Sequence, residues 1–143
     1  MQIGVETSKA VDQRRIFVVD EDEITRAALQ FMLHDEIETH ELGSLEEAYE
    51  KGRDWLLPDV FILGLSIVAA RGVTVIGEIA GRYPAARILI VAGKEDEELG
   101  LAALRAGAHG ALMKPLRIEP VRQKIDTILG RAGAAPLVQL GGL

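Results

Sequence analysis

Short apolar runs alternate along this chain with stretches whose apolar positions recur every three or four residues. Arg15-Ile16-Phe17-Val18-Val19 is a β-rich run that stops at the acids Asp20-Glu21-Asp22-Glu23. Such a run, ended by polar residues, suits a strand covered on both faces, as in a parallel sheet. From Ile24 the period changes. Ile24, Ala27, Ala28, Phe31 and Met32 fall at i, i+3, i+4, i+7 and i+8, the apolar stripe of an amphipathic helix. Acids before and within its first turn suit the positive end of the helix dipole.

The alternation continues to the last helix. Ile37 to Leu42 predicts a short strand, and Ser44 with Glu47 reads as a capping box opening a helix to about Lys51. Trp55-Leu56-Leu57-Pro58 is a connector, because proline cannot continue a helix. Val60-Phe61-Ile62-Leu63 is the most apolar strand. Val73 to Arg82 follows as a helix, weakened by Gly77 and Gly81 by about 1 kcal/mol each relative to Ala. Ile88 to Val91 is a fourth strand, Glu95 to Ala106 a helix opened by acids, and Ala111-Leu112-Met113 a short last strand. Ile118, Val121, Ile125, Ile128 and Leu129 stripe a fifth helix, closed by Gly130. Residues 1–13 carry no packing pattern and are expected to be a flexible tail. Residues 132–143, rich in Gly and Ala with Pro136, are expected to be a tail or a linker. The folded domain is then 14–131.

Five strands alternating with five helices predict an α/β doubly wound sandwich around a parallel sheet. In such folds chemistry gathers beyond the carboxyl ends of the strands. The length of 143 residues suits one domain, and 48% hydrophobic with 27% charged residues is a globular balance. A formal charge of −6 argues against nucleic-acid binding by this domain, since phosphate neutralisation needs a basic surface. Without cysteine there is no thiolate nucleophile or Cys-ligated zinc. No apolar run approaches the roughly 20 residues of a membrane span, and the N-terminus shows no signal pattern; a cytoplasmic location is expected.

The strand ends carry a resemblance. Val18-Val19-Asp20-Glu21-Asp22, Pro58-Asp59-Val60-Phe61-Ile62-Leu63 and Ala106-Gly107-Ala108-His109-Gly110-Ala111-Leu112-Met113-Lys114-Pro115 resemble the receiver domain of bacterial two-component response regulators. The likeness runs from about Arg15 to Gly130, and the segment ending in Lys114-Pro115 is its most specific part. It implies a flavodoxin-like (βα)5 fold with strand order 2-1-3-4-5. It also implies a phosphorelay role: a phosphoryl group carried on an aspartate ending the third strand, with Mg²⁺ held by two acids after the first strand. A lysine faces the phosphoryl oxygens, and a Thr or Ser ending the fourth strand reports the change.

Carried over by position, the acidic pair is Asp20 and Glu21 and the lysine is Lys114. The acceptor position is Gly64, which has no side chain. The hydroxyl position is Ala92, and the aromatic often found in the last strand is replaced by Ala111. The loop after the third strand reads Ile67-Val68-Ala69-Ala70-Arg71-Gly72. The expectation is a degenerate receiver that keeps the fold and lacks the acceptor chemistry, with no enzymatic activity. Asp20, Glu21 and Lys114 form a remnant acidic pocket, in which Lys114 makes a static ion pair with the acids. No cofactor is expected, and at most weak Mg²⁺ binding by Asp20 and Glu21, which equally suit the helix dipole. If the pocket is otherwise preserved, Gly64→Asp should gain Mg²⁺ affinity.

Other candidates fall away on the sequence. Asp59 lies at the entering end of the third strand, on the order of 16 Å from Gly64 at ordinary strand rise. Ser66 has a hydroxyl with no adjacent base. His34, His40 and His109 show no metal spacing, and Glu95-Asp96-Glu97-Glu98 reads as a solvated opening to the fourth predicted helix. Function is expected to rest on protein contact with an effector, a kinase or a second copy. The surface expected for it joins the fourth predicted helix, the last strand and the fifth helix at Leu101, Leu104, Arg105, Arg117, Arg122 and Lys124. Alternatives are a regulator phosphorylated at a non-standard acid, or an unrelated flavodoxin-like ligand binder. The last lacks a glycine-rich phosphate loop.

Overall fold

A computed structural model describes residues 12–131. It holds one parallel sheet of β1 (Asp12–Val19), β2 (Ile37–Leu42), β3 (Val60–Gly64), β4 (Arg87–Ala92) and β5 (Gly110–Met113), in the order 2-1-3-4-5. The expected fold is therefore the observed one. The register sets the carboxyl ends side by side: Val19 pairs with Leu42 and Leu63, Gly64 with Val91, and Ala92 with Met113.

Six α-helices connect the strands: α1 (Glu23–Leu33), α2 (Leu45–Lys51), α3 (Leu65–Arg71), α4 (Thr74–Arg82), α5 (Glu97–Arg105) and α6 (Ile118–Leu129). Alternate strand residues feed two separate apolar layers, as the period of two requires. Phe17, Val19, Phe61, Leu63, Ile88 and Ile90 point to one face, where Leu45, Val68, Ile76, Ile79 and Ala103 cover them. Ile16, Val18, Ile62, Leu89 and Leu112 point to the other, against Leu29 and Leu33 of α1 and Val121 and Ile125 of α6.

Four features differ from the sequence reading. β1 starts at Asp12, so Asp12 and Gln13 belong to the sheet rather than to a tail; Asp12 accepts from the Arg14 guanidinium and lies near Arg131, which hold its carboxyl at about 2. The remaining residues of the two expected tails, 1–11 and 132–143, lie outside the described residues. The segment after β3 is the helix α3 and not a loop, because Leu65, Ile67 and Val68 bury one side of it; Gly72 at φ 91° ends it. Lys94–Asp96 form a 3₁₀ turn before α5 begins.

The fourth difference concerns α1. Its buried positions are Thr25, Leu29 and Leu33, whereas Ile24 is 79% and Phe31 71% exposed. Of the stripe expected to turn inward, Ile24, Ala27 and Phe31 face out, whereas Met32 packs against the core. The inward face carries enough apolar area of its own, in Leu29 and Leu33, to seat the helix.

The junction of β4 and β5 is fixed by His109. Its backbone N–H donates to Ile88 O at 2.7 Å, and its Nδ1 accepts from Ile88 N at 2.9 Å. Burial, then the charge of Arg87, hold this imidazole below the ordinary histidine value. A base depressed in the folded state contributes stability that is complete above the unfolded value and lost as pH falls through the folded one. The thermal midpoint is therefore expected to drop as pH falls below about 6.5. His109→Asn, whose Oδ1 still accepts from Ile88, should show a smaller drop; an unchanged one would remove His109 from the account.

Candidate functional site

The sequence of β1 runs straight into Asp20, which is only 5% exposed. Its carboxyl lies across the end of β3, on Gly64. A Cβ built on Gly64 would overlap Asp20 Cγ and Oδ2 and stand 2.7 Å from Oδ1. Gly64 itself has φ −66° and ψ 138°, a conformation open to any residue. What excludes a side chain there is the carboxyl of Asp20, not the backbone.

Asp20 Oδ1 accepts from Asp22 N at 2.9 Å, and among the described residues Oδ2 has no hydrogen-bond donor. Burial raises the Asp20 pKa, opposed by the Asp22 N–H and by the charge of Lys114. Asp22 behaves oppositely. It caps α1, accepting from Thr25 Oγ1 at 2.6 Å and from Ile24 N at 3.3 Å, and these bonds hold its carboxyl below the usual range. Thus the helix-capping role falls to Asp22 by direct hydrogen bonds rather than to Asp20 and Glu21 through the dipole.

A cavity of about 220 Å³ opens above Asp20, with Asp22, Ser66, Asp96 and Lys114 around it and Leu65 and Val91 beneath. Two corrections to the expected pocket follow. Glu21 is exposed and does not line it, while Asp22 and Asp96 do. Lys114 makes no ion pair among the described residues; it is exposed at the rim, and its charge reaches Asp20 and Asp22 across the cavity. The Lys114–Pro115 peptide is cis. Asp22 was legible as a polar residue just before an apolar helical stripe. Asp96 was not, because its side chain is turned in by the 3₁₀ turn, accepting from Gly93 N at 3.0 Å.

The expected gain of Mg²⁺ affinity by Gly64→Asp loses its premise, since Asp20 fills the space the new side chain needs. Among the described residues no three His, Asp or Glu side chains are grouped to hold a metal ion. Asp22 is committed to the helix cap, so the acids present do not fit the family's cation. Asp59 stays at the entering end of β3, where Oδ2 accepts from Arg15 N at 2.8 Å, and Ser66 Oγ has no hydrogen-bonded base among the described residues.

The expected contact surface is only partly one surface. Leu101 and Leu104 line an apolar cleft of about 110 Å³ between α5 and β5, with Ala92, Gly100, Ala111 and Met113; Asp96 and Glu97 flank it. The small side chains of Ala92 and Ala111 leave that space open. Arg117 and Lys124 line a larger cleft of about 480 Å³ between β5 and α6, together with Lys114. Arg105, exposed, ends α5. Arg122 does not belong to this group. It donates to Met32 O at 2.9 Å and pairs with Asp35 and Glu36, tying α6 to the end of α1. Two residues apart, Arg122 and Lys124 lie about 200° apart around α6 and so on opposite sides of it.

Residues 16–126 match the family model described as the response regulator receiver domain. The chain is 30% identical over 138 residues to the DNA-binding transcriptional activator DevR/DosR of Mycobacterium tuberculosis, covering 90% of this chain and 63% of that protein. It is 29% identical over 117 residues to a cyclic di-GMP phosphodiesterase of Thermotoga maritima, covering 80% and 30% respectively. The chain thus spans less than two thirds of these relatives. Among solved structures it resembles a response regulator from Thermotoga maritima, with TM-score 0.73 and 21% identity over 83% of this chain and 99% of that one. A response regulator described as putative, from Chloroflexus aurantiacus, gives TM-score 0.73 and 24% identity over 84% and 100%. These likenesses establish the fold.

Proposed function

Because this chain belongs to the response regulator receiver domain family, we propose that it is a receiver that signals by protein contact without being phosphorylated. One observation carries this reading: where the family places its acceptor, at the end of β3, there is Gly64, and the Asp20 carboxyl occupies the space a side chain would take. Ala92 and Ala111 support it, since neither has a group to follow a phosphate. No cofactor is assigned, and Mg²⁺ affinity is at most weak. A ligand moves an equilibrium only by its different affinity for two states, and without a phosphoryl group the usual source of that difference is gone. The domain then acts in one fixed conformation.

The partner, an effector or a kinase, docks on the face of α5, β5 and α6. Support comes from the exposed Leu101 and Met113 beside an open apolar cleft, next to Arg117 and Lys124, which make no ion pair among the described residues. An apolar cleft with Asp96 and Glu97 on one side and the unpaired cations Arg117 and Lys124 in the neighbouring cleft suits a partner segment that is apolar with charges of both signs.

Two measurements test the reading. Incubation with acetyl phosphate and Mg²⁺, followed by intact-mass measurement, is expected to give no adduct; an adduct on Asp20 or Glu21 would establish the alternative of a non-standard acceptor. Arg117→Glu with Leu101→Asp, both exposed, should abolish pull-down of the partner from native extract while leaving thermal stability within about 1 kcal/mol. Unchanged capture would place the docking face elsewhere.

A further inference from the structure

We infer that the cleft between β5 and α6 is a binding site for a small organic phosphomonoester. The phosphate lies on Arg117 and Lys114, the apolar body lies on Leu112 and Val121, and a second acceptor of the ligand meets Lys124. The cleft holds about 480 Å³, a volume within the range of small-molecule sites. It is separate from the cavity above Asp20, with which it shares only Lys114.

The sequence of α6 builds one wall. Arg117, Pro120, Val121 and Lys124 recur at spacings of three and four, which puts them on one face. The acids of this helix are turned away: Glu119 and Asp126 lie at least about 140° round the axis from Val121 and Lys124. Asp126 is moreover held by Arg131. The other wall is β5, whose Ala111 and Leu112 give it an apolar floor together with the buried Val121. Gly110 decides where Lys124 ends. A Cβ there would stand 3.9 Å from Lys124 Cδ and 4.0 Å from Nζ, so the lysine stem lies along the start of β5. The ammonium is thereby held, half-buried, at that end of the cleft.

Charge selects the ligand. The chain has a formal charge of −6, and most arginines among the described residues pair with an acid. Lys114, Arg117 and Lys124 pair with none of the described acids, and no acid lines their cleft. Three such cations round one concave apolar floor concentrate positive potential where an otherwise acidic protein has little. A phosphomonoester carries a charge of about −1.5 to −2 near neutral pH and three acceptor oxygens, which suit a guanidinium fork beside an ammonium. Length decides the rest. Lys114 lies four residues beyond Gly110, about 13 Å along the strand, and Lys124 about 10.5 Å along α6 from Arg117. One inorganic phosphate cannot bridge both ends, whereas a phosphate and a second acceptor set across a ring can. Because Leu101 lies outside this cleft, the inference goes beyond the docking reading and stands without it.

The experiment titrates the full chain at low salt with 4-carboxyphenyl phosphate, phenyl phosphate, benzyl alcohol and inorganic phosphate, following backbone amides by nitrogen-15 NMR. 4-Carboxyphenyl phosphate is expected to bind saturably with Kd on the order of 1 mM or tighter, the affinity usual for a ligand of its size. The largest shifts should fall at Leu112 and Val121. Phenyl phosphate should bind about threefold to fivefold more weakly; Lys124→Gln should remove that difference and Lys124→Arg keep it. Arg117→Gln should weaken both esters about tenfold, and benzyl alcohol and inorganic phosphate should be weaker than the esters by at least about as much. The same spectra report that each variant is folded. Leu101→Asp should leave the titrations unchanged even where it ends partner capture, so the two readings fail separately. Absence of saturable binding, or affinities indifferent to Arg117→Gln, would overturn the inference. So would inorganic phosphate binding as tightly as the esters, or equal shifts around Lys51 and Lys94.

Discussion

Gly64→Asp is expected to destabilise the domain and to leave it without a phosphoryl group. The new Cβ lands on the Asp20 carboxyl, so Asp20 must swing out of a site that is nearly closed to solvent. Overpacking a well-filled site costs about 1–3 kcal/mol, and two carboxylates sharing a desolvated corner add to it. A loss of about 3 kcal/mol would lower the midpoint by on the order of 10 °C for a domain of this size. The pH dependence has a definite sign. Burial has already raised the Asp20 pKa, so its neutral form is the better accommodated. The loss should therefore be largest above the carboxylate range and shrink as pH falls and one acid protonates. Asp20→Ala combined with Gly64→Asp should recover most of the stability, and the shortfall from additivity measures the coupling. A Gly64→Asp variant as stable as the parent, and phosphorylated by acetyl phosphate, would show that Asp20 yields freely.

Phe61→Ala should cost about 3–5 kcal/mol, the range for a buried aromatic cut back to a methyl. Phe61 is fully buried in the central strand, 5.8 Å from the Phe17 ring and 5.4 Å from the Tyr83 ring. Tyr83 in turn donates to Gly52 O at 2.9 Å, so the cavity would loosen the turn after α2 as well. Phe31→Ala, the same truncation at a position that is 71% exposed, should cost almost nothing. Urea unfolding of the two variants at low concentration checks the contrast; equal losses would mean that α1 sits against the core through its other face.

That pair of aromatics shows where pattern stops informing. The runs at Phe17, Phe61 and Ile88 were legible as strands because residues buried on both faces must be apolar throughout, and only a central parallel strand is so placed. The stripe of α1 was legible as a helix, yet its period cannot say which side meets the sheet when both sides are apolar. Leu29 and Leu33 pack with Ile16, Val18 and Ile62 of the sheet and with Val121 and Ile125 of α6, and Phe31 is left on the outer side. Similarly α3 was read as a loop because seven residues are too few to display a period.

By itself, the sequence determined the doubly wound fold, the order of its elements, and the absence of a side chain at Gly64. These follow from local rules: the period of apolar residues, capping chemistry at Ser44 and Gly130, and the identity of one residue. Only the tertiary structure decided that Asp20 fills the vacancy at Gly64, that Asp22 and Asp96 rather than Glu21 face the cavity, and that Arg122 belongs to the α1 side of the molecule. Each of those depends on where a side chain points in space between elements distant in the chain. Such directions are set by packing and by competition among hydrogen-bond donors, and no local pattern records them.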